Sequence, residues 1–169
     1  MTITNILVPT DFSEGSQEAL RYAYDLAAAL GATLHVVHVL ENPFAPGAFM
    51  EMYTPPSPEY FVDMERQAES KLRGLLTPEE QQRVTAVLTT RLGVPASEIL
   101  DRLKEEPKID LLVMATHGRG GVARFVMGSV TDRIIRSATC PVLTMREHPH
   151  ASHTPQAAAA EDDGVKASG

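Results

Sequence analysis

Five short apolar runs alternate with stretches of helical periodicity, and that alternation restricts the fold of this chain more than any other feature. The runs are Asn5-Ile6-Leu7-Val8-Pro9, Thr33 to Leu40, Val84 to Arg91, Ile109 to Ala115 and Val142-Leu143-Thr144-Met145. Each is too short for a buried helix, and the third alternates and carries β-branched residues, so all five read as strands. Between them the spacing predicts helices. One carries Leu20, Ala23, Ala27 and Leu30 on one face and stops at Gly31. A second runs from Glu59 to Leu76, ahead of Pro78. A third, from Ala96 to about Glu106, follows Gly93-Val94-Pro95 and aligns Ile99, Leu100 and Leu103; the last spans Ser129 to Ser137. Strand then helix, repeated, implies an α/β fold with a parallel sheet and helices on both faces.

At 169 residues the chain suits one domain with a sizeable core. No apolar run approaches the roughly 20 residues that span a bilayer. Met1-Thr2-Ile3-Thr4-Asn5 lacks the pattern of a signal peptide, so a cytoplasmic protein without membrane contact is expected. Glu41 to Pro58 holds five prolines and no clear periodicity, which predicts a long loop. The domain is expected to cover residues 1–147. From His148 to Gly169 large apolar residues vanish, and a disordered, solvated tail is expected, its His148, His150 and His153 included. Cys140, the single cysteine, reads as a small buried apolar residue.

The fourth strand runs into Thr116-His117-Gly118-Arg119-Gly120-Gly121, and a helix-start signal follows at Gly128-Ser129. A strand, a glycine-rich loop and a helix N-terminus in that order form an anion pocket from backbone N–H groups. Local charge agrees: Arg119, Arg124, Arg133 and Arg136 face only Asp132 between Ala115 and Arg136, while the whole chain carries −7. With a pI near 5.3, such a basic island fits a small anion better than DNA or RNA. The competing reading makes these arginines a solvated face paired with surface carboxylates. There is no Gly-x-x-x-x-Gly-Lys-Ser/Thr loop, no Gly-x-Gly-x-x-Gly after the first strand and no serine nucleophile elbow. Thr90-Arg91-Leu92 stands where a phosphoacceptor receiver domain needs an aspartate, and no catalytic constellation is complete.

In open parallel sheets ligands bind at the carboxyl ends of strands, where neighbouring connections diverge. Pro9-Thr10-Asp11 and Met114-Ala115-Thr116-His117-Gly118 supply those ends. Asp11 suits a ribose hydroxyl or a divalent metal, and equally a helix N-terminal charge beside Ser13 and Glu14. Ser129-Val130-Thr131-Asp132 has the form of a capping box, with Ser129 as N-cap, worth about 1 kcal/mol. A cap, however, does not require the glycines at 118, 120 and 121.

Taken together, these residues resemble the universal stress protein family from Asn5 to Arg146. The resemblance rests on Ile6-Leu7-Val8-Pro9-Thr10-Asp11-Phe12-Ser13, Val36-Val37-His38-Val39, Asp110-Leu111-Leu112-Val113-Met114, Thr116-His117-Gly118-Arg119, Gly128-Ser129-Val130-Thr131 and Cys140-Pro141-Val142-Leu143. It implies an open five-stranded sheet of order 3-2-1-4-5, of the adenine nucleotide alpha-hydrolase type, and a homodimer joined through the last strand. Unpaired, that strand would also be an exposed edge. ATP-binding members carry Gly, two residues, Gly, nine residues, then Gly-Ser/Thr; this chain has Ala115, two residues, Gly118, nine residues, then Gly128-Ser129. Carried over by position, Gly118, Gly128 and Ser129 would hold phosphates with Val130 and Thr131 supporting them. Asp11 would face the ribose or the Mg²⁺ of Mg-ATP, and Pro9, Thr10, Val39 and Met114 would line the adenine and ribose pocket. Ala115 keeps its N–H, but if the site needs positive φ there, strain of about 1–3 kcal/mol follows.

The expectation is therefore a cytoplasmic stress-response protein that binds ATP and acts as a nucleotide-controlled binding module, with protein partners the sequence does not identify. Two alternatives stay open. One is slow ATP hydrolysis or autophosphorylation, drawn from Ser129, Thr131 and Asp11 near a triphosphate but without a general base. The other is a nucleotide-independent interaction protein of the same fold, drawn from Ala115 and the proline-rich loop.

Overall fold

The side-chain alternation of the strands places two apolar layers on opposite faces of one sheet, and the helices follow from that. The computed structural model describes residues 2–41, 57–105, 107–116 and 128–146. In chain order the elements are β1 (Asn5–Pro9), α1 (Glu14–Leu30), β2 (Thr33–Leu40), α2 (Pro58–Arg73), α3 (Pro78–Arg83), β3 (Ala86–Leu92), α4 (Pro95–Arg102), β4 (Leu111–Ala115), α5 (Ser129–Ser137) and β5 (Val142–Met145). All strand pairs are parallel, in the order β3-β2-β1-β4-β5. The open five-stranded α/β sheet is thus the one the sequence implies.

Ile6, Val8, Leu34, Val36, Leu111 and Val113 point to one face, where they meet Ala19, Leu20, Ala23, Tyr24 and Ala27 of α1 and Leu72 of α2. Leu7, Val37, Leu112 and Met114 point to the other, against Ile99 of α4, Leu103 just beyond it, and Ile134 of α5. Ile6, Val8, Leu34, Leu112, Val113 and Ile134 are all 0% exposed. Each such side chain contributes about 1.5–3 kcal/mol relative to exposure. α1 starts at Ser13, whose hydroxyl accepts from the amide of Ser16, and ends at Gly31 with φ +65°. Nothing lies within 4 Å of a Cβ added at Gly31, so glycine is there for its backbone angle alone.

Several boundaries differ from expectation for local reasons. The second helix begins one residue early because Pro58 suits the first helical turn, and it ends at Arg73 ahead of Gly74 rather than at Leu76. Residues 78–83 form an additional helix, α3, opened by a capping box in which Thr77 and Glu80 exchange bonds. Val84, expected in the third strand, is the C-cap of that helix, so β3 starts at Ala86. α4 starts at Pro95 and ends at Arg102, short of Glu106. β4 starts at Leu111 because Asp110 turns its carboxylate onto β1: Oδ2 accepts from the amide and hydroxyl of Thr4, both at 2.8 Å, and from the amide of Asn5 at 3.0 Å. The proline-rich stretch over 42–56, and the tail from residue 147 with its histidines, lie outside the described residues. Among the described residues no helix is long and apolar enough to cross a membrane.

Candidate functional site

β1 and β4 are neighbours whose onward connections part company. α1 leaves β1 over one face on its way to β2, whereas α5 leaves β4 over the other on its way to β5. A crevice opens outside the carboxyl ends of two strands arranged in this way. The register pairs Ile6 with Leu111 and Leu7 with Leu112, so Pro9-Thr10-Asp11 and Met114-Ala115 finish side by side.

On the β1 side the turn is held by side-chain oxygens. Thr10 is 5% exposed, and its amide donates to the carbonyl of Val37 at 2.9 Å. Its hydroxyl accepts from the amide of Phe12 at 3.1 Å and lies 3.1 Å from Ser16 Oγ, which donates to the carbonyl of Ser13. Because Ser16 spends its proton on Ser13, Thr10 is the donor to Ser16. Asp11 Oδ1 accepts from both the amide and the hydroxyl of Ser13, at 3.1 and 2.6 Å. Two donors from one residue fix the direction of that carboxylate. Asp11 thus stands at the N-terminus of α1, where its carboxylate braces the capping residue Ser13.

On the β4 side, Met114, Ala115 and Thr116 are all nearly buried. The amide of Thr116 donates to the carbonyl of Met145, and the amide of Gly128 donates to the carbonyl of Thr116 at 3.0 Å. Thr116 and Gly128 are thereby held together beside the end of β4. Gly118, with Arg119, Gly120, Gly121 and Arg124, falls between them in sequence and lies outside the described residues. Thr131 sends its hydroxyl to the carbonyl of Ala115 at 3.1 Å, which docks the first turn of α5 on the end of β4.

The capping box expected at Ser129 does not form. Gly128 is the N-cap of α5, no side chain among the described residues caps the helix, and Ser129 is the exposed first helical residue. Asp132 instead accepts from Arg136 at 3.0 and 3.1 Å, an exposed pair one helical turn apart. That pair draws the Asp132 carboxyl below its ordinary value and the Arg136 guanidinium above its own. Arg136 is thus a solvated pair on its own helix, and Arg133 is exposed. The first-turn amides of α5, in contrast, have no side-chain acceptor of their own helix.

The structure brings together Pro9, Thr10, Asp11, Met114, Ala115, Gly128, Ser129, Val130 and Thr131. Val39 stands one strand away, half-buried on the α4 and α5 side of β2. Ala115 keeps a negative φ: among the described residues Phe12, at +66°, is the only non-glycine residue with a positive one. Sequence reading gave no site role to Ser16 or His38, and named Ser13 only as a neighbour of Asp11. The spacing Thr10-x-x-Ser13-x-x-Ser16 signals the hydroxyl chain, while His38 had no local signal because its partners are distant in sequence. No group of three or more metal-ligating side chains occurs among the described residues. Cys140 is half-buried on the α4 and α5 side, and burial pushes its thiol up, in keeping with a packing role.

Comparison with known proteins follows the same outline. The model of the universal stress protein family matches residues 2–146. A universal stress protein of Methanocaldococcus jannaschii is 31% identical over 143 residues, covering 84% of this chain and 81% of the relative. Universal stress protein A homolog 1 of Coxiella burnetii is 35% identical over 153 residues, covering 86% and 97%. Among solved structures, the universal stress protein UspA from Lactobacillus plantarum has a TM-score of 0.66 at 23% identity, covering 86% of this chain and 99% of its own. A universal stress protein in complex with cAMP has 0.57 at 22%, covering 86% and 98%. One from Archaeoglobus fulgidus in complex with dAMP has 0.55 at 21%, covering 85% and 98%. At these identities the solved structures establish the fold alone.

Proposed function

We propose, since the chain belongs to the universal stress protein family, that it binds an adenine nucleotide, ATP foremost, in the crevice between β1 and β4. The observation that carries this reading is the N-terminus of α5, which has no capping side chain among the described residues and is docked by Thr131 on the end of β4 beside the Asp11 turn. Amides at a helix N-terminus attract phosphate through their N–H groups and the helix dipole, an effect worth about 0.3–2 kcal/mol per charge. Two of the fold neighbours were solved with cAMP and dAMP bound, and an adenylate suits this crevice on the same grounds.

In this reading Gly118, Gly128 and Ser129 take the phosphates, with Val130 and Thr131 behind them. Asp11 takes a ribose hydroxyl or the Mg²⁺ that accompanies ATP. Pro9, Thr10, Val39, Met114 and Ala115 form the walls around ribose and base. The protein acts as a nucleotide-controlled binding module of the stress response, cytoplasmic, and paired into a homodimer through β5. That strand is an edge of the sheet whose four residues are half-buried, and an unpaired edge is a template for another copy.

Calorimetric titration with ATP and ADP tests the site, with Gly118→Val as the blocked control. Binding by the natural chain and none by the variant is expected; absence of heat at millimolar nucleotide removes the reading. Light scattering tests the dimer, and a mass of 18.4 kDa, that of a lone chain, contradicts it.

A further inference from the structure

We propose that His38 is a positioning residue of the nucleotide site, aiming Asp11 through the main chain of Thr10; the proposal rests on the reading of the crevice as a nucleotide site. His38 lies on β2 with the parity of Leu34 and Val36, so its ring faces α1 and α2 and is 8% exposed. Its Nδ1 is 2.7 Å from the carbonyl oxygen of Thr10. A carbonyl only accepts, so Nδ1 carries the proton and the ring is the donor.

That bond acts on Asp11 through covalent geometry. The carbonyl of Thr10 and the amide of Asp11 belong to one planar peptide unit. The amide of Thr10 is already bonded to Val37 on β2, and His38 fixes the next peptide plane to the same strand. The plane that precedes the Asp11 Cα is therefore set from β2, and with it the direction in which the side chain of Asp11 leaves the backbone.

The residue after Asp11 is held by the same ring. Phe12 adopts φ +66°, a conformation that bulky side chains rarely take. Its ring centroid lies 4.4 Å from that of His38, and Lys71 Nζ of α2 stands 5.7 Å from the same Phe12 ring. His38 thus grips the chain on both sides of Asp11, by a hydrogen bond before it and a ring contact after it. An apolar residue of similar size would fill the space but leave the Thr10 carbonyl without its donor, so packing alone does not account for a histidine here.

The test is ATP titration of His38→Asn, His38→Gln and His38→Leu, each checked by circular dichroism and thermal melting. Asparagine places an N–H where Nδ1 sits, whereas glutamine carries it one methylene too far. His38→Asn is expected to bind ATP within threefold of the natural chain, and His38→Gln and His38→Leu at least tenfold more weakly. Repeating His38→Leu in an Asp11→Ala background separates positioning from general loosening: the second substitution is expected to add less than twofold. If Asp11→Ala leaves too little affinity to measure, the contrast between asparagine and glutamine decides. Equal ATP affinity across all three variants, or an equal loss for asparagine and glutamine, overturns the proposal while leaving the site intact. Failure of the natural chain to bind ATP overturns both.

Discussion

Arg102 donates from Nη2 to Nδ1 of His35 at 3.3 Å. A guanidinium has no acceptor, so Nδ1 is the lone-pair nitrogen, and Nε2 must carry the proton that His35 gives to Asn5 Oδ1 at 3.0 Å. Both residues are buried, at 8% and 5% exposure, and Arg102 also donates to the carbonyl of Pro107 at 3.3 Å. The chain Arg102–His35–Asn5 ties the end of α4 to β2 and β1 in the amino-terminal half of the sheet, away from the crevice. It requires a neutral imidazole.

Burial first, and the Arg102 charge second, hold the His35 pKa below its ordinary value. The unfolded chain then takes up the proton before the folded one does. Stability is therefore full above about pH 6.5 and declines as pH falls through that value toward the lower folded pKa. Urea unfolding at pH 8 and pH 5.5 checks this. His35→Leu is expected to start less stable, because Arg102 loses an acceptor, and to show a smaller decline over the same interval.

The Asp110 carboxylate joins the start of β4 to the chain entering β1 through three bonds to Thr4 and Asn5. The bond from the Thr4 amide, then that from its hydroxyl, draws the carboxyl below its ordinary value. That contribution is present at neutral pH and lost on acidification through the depressed folded value. Asp110→Ala is expected to cost about 1–2 kcal/mol at pH 7 in chemical denaturation. The gap between variant and natural chain should close in strong acid.

Thr131 and Ala115 give a second structural test at the crevice itself. Thr131→Val keeps the shape but leaves the buried Ala115 carbonyl without the hydroxyl that reaches it. A cost of about 1–2 kcal/mol is expected from thermal unfolding. Because the same bond docks α5, nucleotide affinity should fall in parallel.

Ala115→Gly returns the glycine that ATP-binding relatives carry in the resemblance. Since Ala115 has no positive φ to relieve, ATP affinity should change by less than about threefold and stability should drop by about 0.5–1 kcal/mol, the usual entropic cost of glycine in a strand. A large gain in affinity would show that the Cβ itself obstructs the ligand.

Much of the scaffold was legible because it is written in local pattern. β1, β2, β5 and α5 begin and end where apolar runs and stop signals place them. α3 is illegible to periodicity although Thr77-Pro78-Glu79-Glu80 states its cap outright, because six residues with no buried member carry no apolar stripe. The cap of α5 sits one residue before the one local pattern favours: Gly128 and Ser129 are both acceptable N-caps, and docking against Ala115 chooses between them.

What the sequence determined by itself is the run of strands and helices, with the parallel sheet that follows, since these depend on neighbours three or four residues apart. Tertiary structure alone decided the neutral tautomer of His35 that faces Arg102, the grip of His38 on Thr10 and the tie from Asp110 to Thr4 at the entry to β1. Those contacts span 67, 28 and 106 positions, and their chemistry depends on burial and direction that no stretch of sequence encodes locally.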